Sequence, residues 1–177
     1  VVLTGNQIAS LMLDYLLRAK KAAGTLPANG TALKSIVSSE LPTAIAKSYG
    51  ADMVDVLTGF KFIAEKIKQY EEDHSKEFLF GFEESYGYLA KPFVRDKDAI
   101  QALVLIAEVA AYYKKKGQTL YDGLVEIFET HGYYKEQTIS VTMSGITGAE
   151  KIKALMAQFR TEAPADFAGI AVSITED

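Results

Sequence analysis

Met53-Val54-Asp55-Val56-Leu57-Thr58-Gly59-Phe60-Lys61-Phe62-Ile63 changes its period part-way along. Residues 53–57 are mostly β-branched or apolar, the composition of a short strand, and Thr58-Gly59 is a turn. From Phe60 the period lengthens, and Phe62, Ile63, Ile67 and Tyr70 line one side of a helix running to about Glu72. Upstream, Leu33-Lys34-Ser35-Ile36-Val37-Ser38 reads as a strand, and Pro42 opens a helix that Gly50 closes. Downstream, Phe78-Leu79-Phe80-Gly81-Phe82 is a third strand. Strands alternating with helices at this spacing predict parallel pairing, right-handed crossovers and helices on both faces, an α/β fold in a three-layer sandwich. The carboxyl ends of parallel strands open on one edge, so Ser38-Ser39-Glu40, Thr58-Gly59 and Glu83-Glu84-Ser85 are predicted to meet there despite their distance in sequence.

The remaining chain extends this core. Ile8, Leu11, Met12, Tyr15 and Leu16 recur at helical spacing before Arg18, Lys20, Lys21 and Gly24, and residues 25–31, with Pro27, Asn29 and Gly30, form a turn. Residues 86–95 read as irregular. Asp96 can cap a helix so apolar on all sides (Ile100, Leu103, Val104, Leu105, Ile106, Val109) that it reads as buried, and a shorter helix spans about residues 120–129. The first domain should close near residue 135. Beyond it, residues 138–143 alternate as a strand and Ile152, Leu155, Met156 and Phe159 fall on one helical face. Gly145-Ile146-Thr147-Gly148 reads as a turn before that helix, and Ile170, Val172 and Ile174 alternate again. This β-α-β tail, residues 136–177, is too small to bury a core of its own and reads as the start of a second α+β domain.

Composition narrows the function. The 177 residues are 49% hydrophobic and 24% charged, an ordinary globular balance. A net charge of −4, with no basic stripe, argues against nucleic acid. The most apolar stretch, residues 99–113, is shorter than the roughly 20 residues of a membrane span, so no membrane partner is expected. The absence of cysteine excludes disulfides, a cysteine-ligated zinc and a thiol nucleophile, and suits a cytoplasmic location. The amino end carries no basic-then-apolar leader and reads as the cut edge of something longer.

Gly81-Phe82-Glu83-Glu84-Ser85-Tyr86-Gly87 carries the strongest chemical signal. A carboxylate can accept hydrogen bonds from two neighbouring hydroxyls, the vicinal diol of a sugar, and Ser85 adds a small donor and acceptor. On an extended backbone Glu83 and Ser85 would point the same way. The plain alternative is a pair of solvated charges at a strand end. A glycosidase pair would need its carboxyls roughly 5 to 9.5 Å apart across a substrate, which adjacent residues on one strand do not provide. In Arg95-Asp96-Lys97-Asp98 the acids suit a helix start but the cations do not, making Lys97 a candidate for phosphate contact or proton transfer. Thr58-Gly59-Phe60-Lys61 offers backbone amides, a hydroxyl and a lysine at a strand-to-helix turn. His74 and His131 have no cysteine near them and read as surface residues rather than metal ligands. Dinucleotide and P-loop fingerprints are absent.

Leu3-Thr4-Gly5-Asn6-Gln7-Ile8, Thr58-Gly59-Phe60-Lys61-Phe62-Ile63, Phe80-Gly81-Phe82-Glu83-Glu84-Ser85-Tyr86-Gly87 and Val94-Arg95-Asp96-Lys97-Asp98, in this order, closely resemble the α-D-phosphohexomutases, in their bacterial phosphoglucomutase/phosphomannomutase branch. The resemblance spans the chain and identifies residues 1–135 with the third of four domains and 136–177 with the beginning of the fourth. It implies a mixed, mostly parallel sheet of about four strands in an α/β/α sandwich. It assigns sugar hydroxyls to Glu83 and Ser85, the lining of the same pocket to Thr58, Gly59 and Lys61, acid/base chemistry to Lys97 and phosphate positioning to Arg95. Phe82 stands where the family usually has glycine, which bears on the width of the pocket.

The implied reaction is reversible phosphate transfer between C1 and C6 of a hexose, through a phosphoserine and a hexose 1,6-bisphosphate that acts as intermediate and activator. Hexose phosphates and the remaining domains of a parent chain are the implied partners, and Mg2+ the implied cofactor, with ligands outside these residues. Without the serine, magnesium and late phosphate loops this stretch is expected to be inactive alone. The competing reading is a non-catalytic α/β ligand-binding or interaction module. The two differ at the strand-end edge, where the enzyme requires Glu83, Ser85, Thr58 and Lys97 to converge on one solvent-open concavity, and a Glu83 buried against its own core would count against it.

Overall fold

The computed structural model describes residues 2–136 and 141–175. The chain divides into two compact units, Val1–Glu136 and Gln137–Asp177. In the first, the order is α1 (Gly5–Ala22), β1 (Gly30–Ser35), α2 (Leu41–Tyr49), β2 (Asp52–Val56), α3 (Phe60–Asp73), β3 (Glu77–Glu83), β4 (Gly87–Leu89), α4 (Ala99–Lys115) and α5 (Leu120–His131). One four-stranded sheet runs β2-β1-β3-β4. β1 pairs in parallel with β2 and with β3, and β4 returns antiparallel to β3. The expected mixed, mostly parallel α/β architecture is the observed one.

Strand alternation sorts the core into two layers. Ala32, Phe80, Phe82 and Tyr88 face α1, α2, α4 and α5, while Leu33 and Leu89 face Phe60, Ile63, Ile67 and Tyr70 on α3. A register shift after Thr31, which pairs with Phe78 while Ala32 pairs with Phe80, leaves Leu79 extra, so Leu79 and Phe80 both enter the larger cluster. α1 starts on a capping box: Thr4 Oγ1 accepts the Gln7 N–H and the Gln7 side chain accepts the Thr4 N–H. Gly50 closes α2 in the left-handed conformation at φ 78.

Several sequence expectations change. β1 begins at Gly30 instead of Leu33 and ends at Ser35, because residues 31–34 are sandwiched between two partner strands and Gly30 and Ser35 each pair with one; after the Ile36 N–H donates to Val56 O the chain turns away, with the Ser38 N–H donating to Ser35 O. Residues 87–89, read as irregular, form β4. α4 is capped by Asp98, whose carboxylate accepts the N–H groups of Ile100 and Gln101, while Asp96 accepts the neighbouring Lys97 N–H. α4 is also not buried all round: Leu105, Val109 and Tyr113 are inside, whereas Ile100, Leu103 and Val104 are 74%, 67% and 57% exposed. One side of the helix suffices to cover the sheet.

In the second unit, α6 (Gly145–Thr161) begins at Gly145, so the expected 145–148 turn is the first turn of the helix. β5 (Asp166–Phe167) and β6 (Ile170–Ala171) form an antiparallel hairpin through Ala168 and Gly169, both at positive φ. Of the strand expected at 138–143, residues 138–140 lie outside the described residues and 141–143 are irregular. The strand expected through Ile174 stops at Ala171, with one further bond from Val172 N–H to Ala165 O.

Candidate functional site

The three parallel strands deliver their carboxyl ends to one edge, and the predicted groups gather there. Glu83, the last residue of β3, extends Oε1 to the Gly59 N–H at 2.7 Å, joining strings 24 positions apart. Gly59 caps α3 at φ 115, ψ 123, a conformation natural only to glycine, and it turns its amide toward the carboxylate at the positive end of the helix. Glu83 is buried, 8% exposed, where the enzyme reading expected it to open on solvent. Opposite it in the β3–β4 ladder stands Gly87, where an added Cβ would lie 3.1 Å from Lys97 Cδ and 3.4 Å from Glu83 Oε2. The Lys97 stem therefore crosses Gly87 beside the carboxylate. Its Nζ sits 5.6 Å from the centre of the Phe60 ring and 3.4 Å from Asp96 Oδ1.

Thr58 is exposed beside Gly59. Lys61 is exposed on the first turn of α3, its Nζ 4.8 Å from the centre of the Phe62 ring. Ser85 also reaches solvent, by a route the extended-strand expectation did not allow. Residues 84–86 form a three-residue hairpin turn with Tyr86 at φ 65, so Ser85 sits on the crest of a turn and not two places along a strand from Glu83. Phe82 leaves the rim free: its ring is fully buried in the α1-side core, 5.9 Å from Phe80.

Ser38, Ser39 and Glu40 reach the same edge. Ser35 Oγ donates to Glu84 Oε2 at 2.9 Å, Ser38 Oγ lies 2.7 Å from Ser35 Oγ, and the Ser39 N–H donates to Asn6 Oδ1 at 3.2 Å. Sequence reading passed over Lys34, a fully buried lysine whose Nζ lies 2.8 Å from Glu40 Oε1 and 3.0 Å from Asp55 Oδ1, its register partner on β2. A lysine inside an otherwise buried strand run was its only signal. Burial acts to raise the Glu40 carboxyl, but the Lys34 hydrogen bond and charge prevail and hold it below its ordinary 4.5.

Arg95 does not join this group. Its guanidinium pairs with Glu71 and donates to Pro92 O, and Glu71 lies about 16 Å along α3 from Phe60. The reason is local: once Asp98 caps α4, residues 92–95 run back along α3. Two cavities of about 370 Å³ each lie away from the rim, one beside Ile67, Tyr70 and Pro92, the other beside Asp14, Arg18 and Tyr49. His74 is exposed at the end of α3, and His131 ends α5 partly exposed. Among the described residues no group of three or more His, Cys, Asp or Glu could hold a metal. No described helix is long and apolar enough to cross a membrane.

The chain itself, apart from any reading of this rim, matches a known family. Residues 4–128 fit the model described as phosphoglucomutase/phosphomannomutase, alpha/beta/alpha domain III.

The chain belongs to this family.

Phosphoglucomutases of Staphylococcus aureus, strains bovine RF122 / ET3-1 and USA300, are each 42% identical to it over 173 residues, 98% of this chain and 30% of theirs. The chain thus spans under a third of the length of these curated phosphoglucomutases. Among solved structures, the open form of the Paramecium phosphoglucomutase parafusin superposes with a TM-score of 0.58 at 16% identity, covering 90% of this chain and 26% of that one, a likeness of fold. Within the phosphoglucomutase/phosphomannomutase framework, the rim of Glu83, Gly59, Thr58, Ser85 and Lys97 is the candidate site.

Proposed function

We propose that this chain is the sugar-recognition part of a phosphoglucomutase/phosphomannomutase that moves phosphate reversibly between C1 and C6 of a hexose through a phosphoserine and a hexose 1,6-bisphosphate. Residues 1–135 act as the third domain and 136–177 begin the fourth. The observation that carries this reading is the meeting of Glu83 with Gly59 and the Lys97 stem at the strand-end edge, within a chain of this family. A non-catalytic module has no need of that convergence.

The roles in this reading are supported by the geometry. Gly59 N–H holds Oε1, leaving Oε2, beside Gly87 and Lys97, to accept sugar hydroxyls. The Lys97 side chain, 54% exposed, swings aside to admit the hexose and then offers a cation or a proton at the reacting end. Ser85 and Thr58 supply exposed hydroxyls on either side, and Lys61 lines the approach. Because a carboxylate reads neighbouring hydroxyls in a nearly equivalent way from either direction, one rim serves a sugar bound in both orientations. Arg95, engaged by Glu71, is left out of this set. On this reading the transfer itself, with its phosphoserine and Mg2+, belongs to other parts of a cytoplasmic parent enzyme, and this chain alone is inactive.

The test is a coupled assay of the full-length parent with glucose 1-phosphate and mannose 1-phosphate side by side, wild type against Glu83→Ala. Loss of about two or more orders of magnitude in turnover is expected, with the fold retained. Wild-type turnover in the variant would refute the assignment.

A further inference from the structure

Glu84 is adjacent to the sugar-binding carboxylate but faces the other way. Its Oε2 accepts from Ser35 Oγ at 2.9 Å and lies 3.5 Å from Ser38 Oγ, and the two hydroxyls are 2.7 Å apart. Both serines are buried, Ser35 completely. Ser38 belongs to the loop between β1 and α2, and Lys34 pins that loop through Ser38 O at 3.5 Å and Glu40 at 2.8 Å while reaching Asp55 on β2. The 84–86 turn therefore has a polar anchor on each side, Glu83 to Gly59 and Glu84 to the serine pair, with Ser85 exposed between them.

We infer that Glu84, held by Ser35 and Ser38, is a positioning residue that sets the height and direction of the exposed Ser85 hydroxyl, and so tunes hexose affinity without touching the sugar. This rests on the reading of the rim as a hexose site. Apolar groups of similar size could fill the same space and would serve stability as well. Three polar groups that must meet in one geometry specify a single turn position instead, which matters where a hydroxyl has to be held to a fraction of an ångström.

The experiment uses the full-length parent, with glucose 1-phosphate as the probe and steady-state kinetics as the readout. The variants are Glu84→Ala, Glu84→Gln, Ser35→Ala/Ser38→Ala, the triple alanine variant, and Glu83→Ala as the reference for the site. An interaction that binds ground and transition states equally appears in KM, so Glu84→Ala is expected to raise KM about tenfold with kcat within about twofold. The serine pair should show the same rise and the triple variant no further one, as members of one unit do, while Glu84→Gln, which keeps an acceptor oxygen, recovers most of the loss. A role in stability alone would lower the melting temperature and leave KM unmoved. Unchanged KM in Glu84→Ala, or multiplying effects in the triple variant, overturns the proposal while Glu83→Ala remains inactive and the site reading stands. Wild-type activity in Glu83→Ala overturns the site reading and this inference together. If Glu84→Ala fails to fold, the serine pair, which loses only two hydroxyl oxygens, decides the matter.

Discussion

Gly5→Ala sets two opposing effects against each other, and the structure says which wins. Gly5 opens α1, and alanine is favoured over glycine within a helix by up to about 1 kcal/mol. A Cβ at Gly5, however, would fall on the Glu84 carbonyl oxygen and lie 2.8 Å from its carbonyl carbon and 3.1 Å from Tyr86 N. These are backbone atoms of the 84–86 turn, so no side chain can rotate away, and the turn must retreat by about an ångström or more. The retreat pulls on the hydrogen bonds from Tyr88 OH to Gly5 O at 2.9 Å and from Ser39 N–H to Asn6 Oδ1 at 3.2 Å. Overpacking costs about 1–3 kcal/mol and a weakened buried hydrogen bond about 1 kcal/mol more, so a net loss of about 2 kcal/mol is expected. Urea unfolding of the 177-residue chain, followed by far-ultraviolet circular dichroism, should show the midpoint lowered by about 1 M. Gly24→Ala is the control: φ is +67 and nothing lies within 4 Å, so only backbone strain of about 1 kcal/mol applies. A Gly5→Ala midpoint equal to or above wild type would refute the packing argument.

Two further outcomes concern the polar clamp on β1. Lys34→Met removes a buried charge and leaves Glu40 and Asp55, 58% and 32% exposed, to water, so it should cost at most about 1 kcal/mol. Glu40→Ala/Asp55→Ala strands the fully buried ammonium and should cost about 3 kcal/mol or more; thermal melts showing the two equal would contradict this asymmetry. Because the Glu40 carboxyl lies below 4.5 when folded, its contribution is complete above that pH and is lost as pH falls through the folded value. Acid unfolding of Glu40→Gln should therefore be shallower than wild type below about pH 5, and superimposable curves would remove Glu40 from the account.

The parts of the fold legible in sequence share one property: they are set by local period. The change of period at Gly59 marks the end of β2 and the start of α3 within a residue, and the order of strands and helices is enough to predict that Thr58-Gly59 and Glu83 meet. β4 was not legible, since Gly87-Tyr88-Leu89 is too short to show a period and follows directly on a turn residue with positive φ. Asp98 and Asp96 are equally good caps by composition; the bond from Asp98 N–H to Tyr88 O on β4 selects between them. The exposed face of α4 was misread because apolar residues all round a helix do not reveal which side meets the sheet.

By itself, then, the order of residues determined the architecture and the edge at which chemistry would gather, because hydrogen-bonded backbone periods and parallel crossovers leave few alternatives. Only the tertiary structure decided which side chains stand there. Lys34 came in through Glu40 and Asp55, Glu84 turned to the Ser35 and Ser38 hydroxyls, and Arg95 went out to Glu71, because a long polar side chain takes its direction from whichever partner the folded chain brings within reach.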